Sequence, residues 1–431
     1  MDASVNQSQR ERIFDAAVTI GRQLCEAAIV DAGGRHANWM GRRDITEDSL
    51  LAQYSVRAAA LGPDVYAGGA GVALFLAELY RQTAEPAFAA TAAAALRRSV
   101  RYLQTHDLPL HPYSFFAGHA GILAVALRLR TAAPHADLDA VCDWLKREIA
   151  RADSLPASPD IIAGCAGAVL ALTDVAAQTG DAAMLEAARA CGDALCTRAQ
   201  WTEDSCAWVP HSAGGDRQSP PMAGVAHGAA GMALALMALY RHAPQENYLD
   251  TVRGGLAFTD RLFDEREGNW IDTRMEHRRA DDGRLTGTFQ TAWCHGAAGI
   301  MLTRLQAAEI DPPQAARHLR FAEHAAAAVV RGLKAKLAQR QGDATLCHGI
   351  FGLNEALASY ARTVGDSERE TTALETAVTL LSRYRALNDW PSGINAGGPS
   401  PSLMVGAAGI GYHLLRLAAR GPVPPILTLF A

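Results

Sequence analysis

The sequence predicts an all-α fold: an α/α toroid in which seven inner helices form a barrel inside seven outer helices. Two observations predict it, namely a short glycine motif that recurs along the chain and the alternation of all-round apolar segments with amphipathic ones. A chain of 431 residues is also too long for one ordinary core unless a barrel or a repeat carries it. We therefore expect a single domain over residues 1–431, with N-terminal helices in residues 1–60 packing on the toroid.

The motif contains two glycines three residues apart. Its seven copies read AGGAG, AGHAG, AGCAG, HGAAG, HGAAG, HGIFG and VGAAG. Their first glycines are Gly68, Gly118, Gly164, Gly228, Gly296, Gly349 and Gly406. Successive first glycines lie 46 to 68 residues apart, which leaves room for two helices and their loops in each repeat.

Each motif opens an apolar run such as GVALFLAELYRQ, whose apolar residues cover most of a helix circumference. Such helices must be buried, whereas the intervening amphipathic segments, such as FAATAAAALRRSVRYL, fit an outer layer. The repeats can close as an open solenoid or as a ring, and the all-round apolar runs favour the ring. The glycines would then gather the inner N-termini, with free N–H groups, at one mouth of the barrel.

Strands are not expected, because Val, Ile and Thr do not alternate with polar residues over any long stretch. A short hairpin near residues 272–279 is the one candidate.

Composition excludes several classes of protein. Hydrophobic residues make up 49% and charged residues 20%, which argues against a disordered, collagen-like or disulfide-dense chain. The net charge is −5 and the basic residues are scattered, so a nucleic-acid partner is not expected. The polar N-terminus shows no secretory segment, which favours a cytoplasmic protein. The most apolar windows run for about a dozen residues, short of the roughly 20 that a membrane span needs.

Three motif copies carry reactive side chains. Cys294 and His295 stand in AWCHGAAG, Cys347 and His348 in TLCHGIFG, and His227 in GVAHGAAG. In a closed ring the three histidines project near the same mouth. Two cysteines with at least one histidine suit a tetrahedral zinc ion that keeps its fourth position open. The alternative is that both cysteines are small buried residues, because an adjacent Cys and His rarely reach the same ion.

The other six cysteines show no partner pattern and are interpreted as core residues. Asp160 stands four residues before a motif glycine, where the chain enters the mouth, and is a candidate site residue. Asp64 has the same offset in the first copy, so both residues could equally be helix caps. A further group of loop residues fits a substrate rim or a solvated loop, and the sequence favours the loop: Trp270, Asp272, Arg274 and residues 278–288.

The motifs resemble those of the lanthionine synthetase cyclase family, the LanC-like proteins. The resemblance covers nearly the whole chain and includes DVYAGGAGVALFLAELY, DIIAG, AHGAAG, AWCHGAAGI, LCHGIFG and PSLMVGAAGIGYHLLRLA. The phrasing is most similar to the cyclase half of class II (LanM-type) synthetases, without their dehydratase half. The family fold is an α/α toroid of seven inner and seven outer helices, in agreement with the ring argued above.

The resemblance implies site residues and a reaction. It places Cys294, Cys347 and His348 as zinc ligands, His227 as the active-site histidine and Asp160 as the active-site aspartate. The implied enzyme is a zinc-dependent peptide cyclase. It adds cysteine thiolates to dehydroalanine or dehydrobutyrine in a ribosomal precursor peptide that a separate dehydratase has prepared, and it forms (methyl)lanthionine rings.

One position departs from the family pattern. Nisin-cyclase-like members carry an arginine four residues before the first zinc cysteine, and Gln290 stands there in this chain. His295 is therefore a second candidate for proton transfer. Two other functions remain open: addition of glutathione or another thiol to dehydroamino acids in proteins, and a non-catalytic helical toroid that binds a peptide or a partner enzyme.

Overall fold

The computed structural model describes residues 3–45, 55–108, 111–209, 220–275, 277–279, 285–339, 342–394 and 398–430. In these ranges, seven α-helices follow the seven glycine motifs. They are α2 (Gly69–Thr83), α4 (His119–Ala132), α6 (Cys165–Thr179), α8 (Ala229–His242), α10 (Ala297–Ile310), α12 (Ile350–Val364) and α14 (Ala407–Ala418). Each begins immediately after the first glycine of its motif.

The inner helices close into a ring. Each of them contacts the next, and α14 contacts α2. Nearly all residues in their first three turns are buried, as the all-round apolar pattern requires. The predicted toroid is therefore confirmed, and the open solenoid is excluded.

The outer layer consists, in the same ranges, of seven further helices. They are α1 (Ala3–Glu26), α3 (Pro86–Thr105), α5 (Asp139–Ala150), α7 (Ala182–Arg198), α9 (Glu246–Arg261), α11 (Ala315–Ala338) and α13 (Ser367–Arg383). The outer helices after α1 each pack on the inner helix that precedes them in the chain. Helix α1 instead packs on α14 and lies between α13 and α3. The first helix of the chain thus completes the repeat that the last helix begins.

Residues 1–60 correct one prediction, because helices were expected there. In the described part of this stretch, α1 is the one helix and packs on the toroid as expected, and short strands follow it. In the described residues the strands form five antiparallel pairs: β1 (Ile29–Val30) with β2 (Ala37–Asn38), β3 (Met40–Ile45) with β4 (Ser55–Ala60), β5 (Gln200–Thr202) with β6 (Ser205–Ala207), β7 (Phe263–Asp264) with β8 (Asn269–Trp270), and β9 (Arg278–Arg279) with β10 (Leu285–Thr286). The hairpin expected near residues 272–279 corresponds to β9 and β10. Most of the other strands are two or three residues long, too short for an alternating pattern.

The N–H groups at the mouth correct a second expectation, since they are not free. In α2, α6 and α8 the first N–H donates to a backbone carbonyl seven residues earlier, for example from Cys165 to Ser158 at 2.9 Å. The loop before each helix therefore serves as its cap, in place of a capping side chain.

The second glycine of each motif explains why the loop can lie so close. A Cβ on Gly121 would stand 1.7 Å from the carbonyl oxygen of Phe115. A Cβ on the second glycine of any of the other six motifs would stand 1.8 to 2.2 Å from the equivalent oxygen. The loop backbone thus packs directly on the helix backbone.

Replacing Gly121 with alanine is expected to lower the free energy of unfolding by about 1–3 kcal/mol, because backbone has to move to admit the methyl group. A Cβ on Gly33 would make only an ordinary contact with the side chain of Arg35, at 3.8 Å, so this glycine is the matched control, whose alanine variant should change stability by less than about 0.5 kcal/mol. Denaturant unfolding of both variants measures the difference. Equal stabilities would show that the contact is not required.

The C-terminal tail, residues 423–430, crosses the barrel at the end opposite the mouth. Its last turn, Ile426–Thr428, contacts α10 and α12, and Ile426 and Leu427 are buried. On the far side, the guanidinium of Arg128 in α4 lies 3.7 Å from the ring centre of Phe430. From the side of the mouth, the indole N–H of Trp293 donates to the carbonyl of Leu427 at 2.8 Å. The interior of the barrel is therefore filled rather than open.

None of the helices in the described ranges combines the length and the apolar character that crossing a membrane demands.

Candidate active site and metal centre

A ring of hydrogen bonds ties the repeats together at the mouth. The residues that form it stand about two positions before each first glycine, and we call them the backbone ring. Its bonds are Tyr66 N to Phe116 O (3.2 Å), Ile161 N to Ala226 O (3.0 Å), Ala226 N to Cys294 O (3.0 Å), Cys294 N to Cys347 O (3.3 Å), Cys347 N to Met404 O (3.0 Å) and Met404 N to Tyr66 O (2.9 Å). Between the second and third repeats, the Ser114 hydroxyl donates to the carbonyl of Ile162 at 2.9 Å.

In each repeat, the residue immediately before the first glycine of the motif is partly exposed or, for Ala163, exposed, and the glycine itself is buried. We call these seven residues the mouth positions: Ala67, Ala117, Ala163, His227, His295, His348 and Val405. Three consecutive repeats supply histidines and the other four supply Ala or Val. The mouth therefore has an imidazole half and a small apolar half.

The two cysteines at the centre of the site are neighbours in the backbone ring. The Tyr66 hydroxyl donates to the sulfur of Cys347 at 2.9 Å. The neighbouring thiol of Cys347, as a hydrogen-bonding partner, lowers the pKa of the Cys294 thiol to about 7, with help from the charges of His348 and Arg274 and against the effect of burial. The pair can thus hold one thiolate near neutral pH.

His348 is oriented by a carboxylate. Its Nδ1 forms a short hydrogen bond with Asp343, which leaves Nε2 as the free ring nitrogen. This hydrogen bond raises the pKa of His348, although burial opposes the shift. A carboxylate on the outer nitrogen is the usual support of a metal-binding histidine. Gly393 makes room for the ring, because a Cβ there would stand 2.7 Å from Cε1 of His348.

The donor types fit zinc, for which thiolates and imidazole are preferred ligands. Within the described ranges, however, no three His, Cys, Asp or Glu side chains are arranged as a formed metal site. The two thiols are neighbours, and His348 bonds to the carboxylate of Asp343. The structure therefore brings the predicted donors together without closing them around an ion.

Asp160 is not the cap of α6, whose N-cap is Gly164 without a side-chain hydrogen bond; its carboxylate instead binds the loop before the helix and one of the mouth histidines. One carboxylate oxygen accepts from the backbone N–H of Ala163 at 2.9 Å, as Asp64 does from Ala67 at 2.7 Å. The other oxygen bonds to Nδ1 of His227 at 2.8 Å. Burial opposes ionisation, yet the hydrogen bond from His227 lowers the pKa of Asp160 below its usual value. A carboxylate thus orients His227 and leaves its Nε2 facing the mouth.

His295 stacks on His227, with ring centroids 5.5 Å apart and the rings inclined by 25°. Burial, together with the charges of Arg274 and His227, lowers the pKa of His295 to about 3. The side chain is therefore a neutral imidazole at physiological pH.

The expectation of a solvated loop is wrong for Trp270, at the end of β8, and for Asp272, whereas Arg274, Arg278 and residues 287–288 are exposed as expected. Residues 280–284 of the same stretch lie outside the described residues. Trp270 is 1% exposed and packs on Phe263 and Phe321, and Asp272 is 7% exposed. Asp272 accepts two side-chain hydrogen bonds from Arg274, at 2.9 and 2.6 Å. Phe321 lies 51 residues further along the chain, so the polarity of the neighbouring sequence gave no sign of this contact.

Two further residues of the site, Tyr66 and Asp343, were missed, and Arg274 was named as a rim candidate but assigned to a solvated loop. Aligning the repeats would have found Tyr66, because it occupies the position of the two cysteines in the first repeat. Asp343 and Arg274 give no such signal, because each of them reaches the mouth from a loop that is not repeated along the chain. Gln290 contributes its backbone, whose carbonyl accepts from Asn269 and Ala297.

The remaining cysteines agree with the core interpretation in the described structure. Four of them, Cys142, Cys165, Cys191 and Cys206, are buried, and Cys25 and Cys196 are partly buried.

Fold and site together define a helical toroid with thiols and carboxylate-bound imidazoles at one mouth. A model of the family described as lanthionine synthetase C-like protein matches residues 59–428. The chain belongs to the lanthionine synthetase C-like family, and the resemblance seen in its motifs is confirmed.

Two solved structures share the fold. Nisin cyclase is 19% identical, with a TM-score of 0.58 over 85% of this chain and 92% of its own. A GH76 α-mannanase of Bacteroides thetaiotaomicron is 11% identical, with a TM-score of 0.52 over 97% of this chain and 98% of its own. At such identities these similarities show the toroid and not the reaction.

A sequence relative is the lacticin 481/lactococcin biosynthesis protein LcnDR2 of Lactococcus lactis subsp. lactis. It is 24% identical over 205 residues, which cover 45% of this chain. The match spans only 20% of that relative.

Proposed function

We propose that the protein is a zinc-dependent peptide cyclase that forms lanthionine and methyllanthionine rings in a dehydrated precursor peptide. The observation that carries the proposal is the contact between the thiols of Cys294 and Cys347, from successive repeats, beside the His227–Asp160 pair. The names of the relatives, a nisin cyclase and a lacticin 481 biosynthesis protein, support the same chemistry. A separate dehydratase would supply the dehydroamino acids.

Cys294, Cys347 and His348 would hold the zinc ion. With two thiolates and a neutral imidazole around it, the ion would favour the thiolate form of an incoming substrate cysteine. Asp343 fixes the ring of His348 so that Nε2 is the nitrogen available for coordination.

The chain's own residues handle the proton. When the substrate sulfur adds to the β-carbon of a dehydroamino acid, a C–S bond forms and the π electrons of the double bond pass into an enolate. That enolate then takes a proton at its α-carbon. His227 is placed to donate it from Nε2, because Asp160 holds Nδ1.

Arg274 would supply the positive charge that Gln290 does not. Its guanidinium is fixed by Asp272, and its charge lowers the pKa of the neighbouring Cys294 thiol. Replacing Arg274 with glutamine is expected to reduce kcat/KM by about 10- to 100-fold, as for other residues that support a metal site. Glutamine at the exposed Arg278 is the matched control, and equal rates for both variants would contradict the role.

The proposed function is tested with a dehydrated precursor peptide and the purified protein, with and without a chelator. Ring closure does not change the mass of the peptide, so free thiols are counted by alkylation and mass spectrometry. We expect the alkylatable thiols to disappear only when zinc is present. An unchanged thiol count would contradict the proposal, and a mass increase with added glutathione would favour addition of that thiol instead.

A further inference from the structure

We propose that a groove on the small apolar half of the mouth binds the extended substrate segment that carries the dehydroamino acid, while the substrate cysteine approaches from the opposite, cysteine-bearing side. This inference rests on the proposed function and adds the direction in which the substrate lies across the mouth.

The groove has a volume of about 800 Å³ and reaches the active site. One wall is the loop before α4, and the other runs from the end of α5 to the start of α6. His111 joins the two walls, because its Nε2 lies 3.0 Å from the carbonyl of Ser154. Asp160 and two mouth positions, Ala117 and Ala163, lie on the inner end of the groove.

The arrangement of the mouth fixes which reactant lies where. Cys294 and Cys347 belong to the fifth and sixth repeats, whereas the groove opens at the second and third. His227 belongs to the fourth repeat, between them. A substrate strand in the groove would therefore present its α-carbon to His227 and its β-carbon to a sulfur arriving from the cysteine side.

The lining suits an uncharged peptide segment. Apolar side chains dominate it, including Leu108, Pro112, Leu155 and Pro156. In the described part of the groove, three carboxylates accompany one guanidinium: Glu148, Asp153, Asp160 and Arg151. Glu148 and Arg151 neutralise each other in an ion pair at 2.6 Å. The excess negative charge disfavours an anionic small thiol such as glutathione and favours a neutral or basic peptide.

Filling the groove tests the proposal. Ala157 is an exposed residue of the groove wall, and its replacement with tryptophan should raise KM for a dehydrated peptide at least tenfold, with kcat and zinc content little changed. Ala140, exposed at the other end of α5, is the matched control for the same substitution. If A157W keeps the wild-type KM while the wild type forms rings, the groove assignment is wrong and the proposed function stands.

Cross-linking tests the polarity directly. The probe is a synthetic dehydrobutyrine peptide with serine at the cysteine position, so that no ring can close. A photoreactive leucine beside the dehydrobutyrine should label residues 111–117 or 151–163, and one beside the serine should label residues 343–348 or 404–405. The reverse pattern, the same pattern for both probes or no labelling would overturn the proposal. If the wild type closes no rings in an unmodified peptide, the proposed function fails as well.

Discussion

Replacing either Cys294 or Cys347 with alanine is expected to yield a folded protein that holds little zinc and closes no rings. Each substitution removes one of the two neighbouring sulfur donors, and the buried thiol of Cys165, in the third motif, donates instead to the carbonyl of Pro156. The loss of zinc affinity should exceed the roughly 10- to 100-fold that removal of a supporting residue costs. Metal analysis of the purified variants measures it, with circular dichroism to confirm the helical fold.

The control for both variants is Cys206→Ala, a buried cysteine on β6 that contacts the carbonyl of Thr251 instead of the mouth. It should keep the zinc content of the wild type. Stoichiometric zinc in both the Cys294 and Cys347 variants would remove the metal assignment, whatever their activity.

Replacing His227 with alanine is expected to slow proton transfer without affecting metal binding. The variant should retain zinc, because His227 bonds to Asp160 rather than to the proposed ligands. Ring closure should slow by about 10²- to 10⁴-fold, the usual contribution of a positioned proton donor. Alkylation assays at matched zinc content give the rate.

His277 is exposed in the loop beyond the site, and its alanine variant serves as the control. We expect it to match the wild type in both zinc content and rate. Normal turnover by the His227 variant would show that the proton comes from elsewhere, and His295, stacked on the same ring, would be the next group to test.

Much of the fold could be predicted because one signal is repeated. The first glycine of each motif ends the loop, and the second lets the helix lie on the loop backbone, so motif and helix start coincide in every repeat. Equivalent positions in successive repeats then meet at the mouth. That is why Cys294, Cys347 and His227 could be grouped although long stretches of chain separate them.

Apart from Tyr66, which occupies a repeated position, the features that sequence reasoning missed lack such repetition. Asp343 and Arg274 reach the site from loops that differ in each repeat, and the β3–β4 pair has a composition, with SVRAAA as one strand, that does not favour strands. The expectation of free N–H groups at the mouth was wrong for another reason. Their partners are backbone carbonyls, which carry no side-chain signature.

The C-terminal tail has a consequence for how a multi-ring product would be made. With residues 423–430 across the far end and buried side chains inside, the described barrel offers no passage from one end to the other, so under the proposed function a peptide would leave by the mouth at which it bound. A substrate with several cysteines would then not pass through the barrel. It would have to dissociate after each ring closure and bind again with its next pair of residues, so the order of the rings would depend on which segment rebinds first.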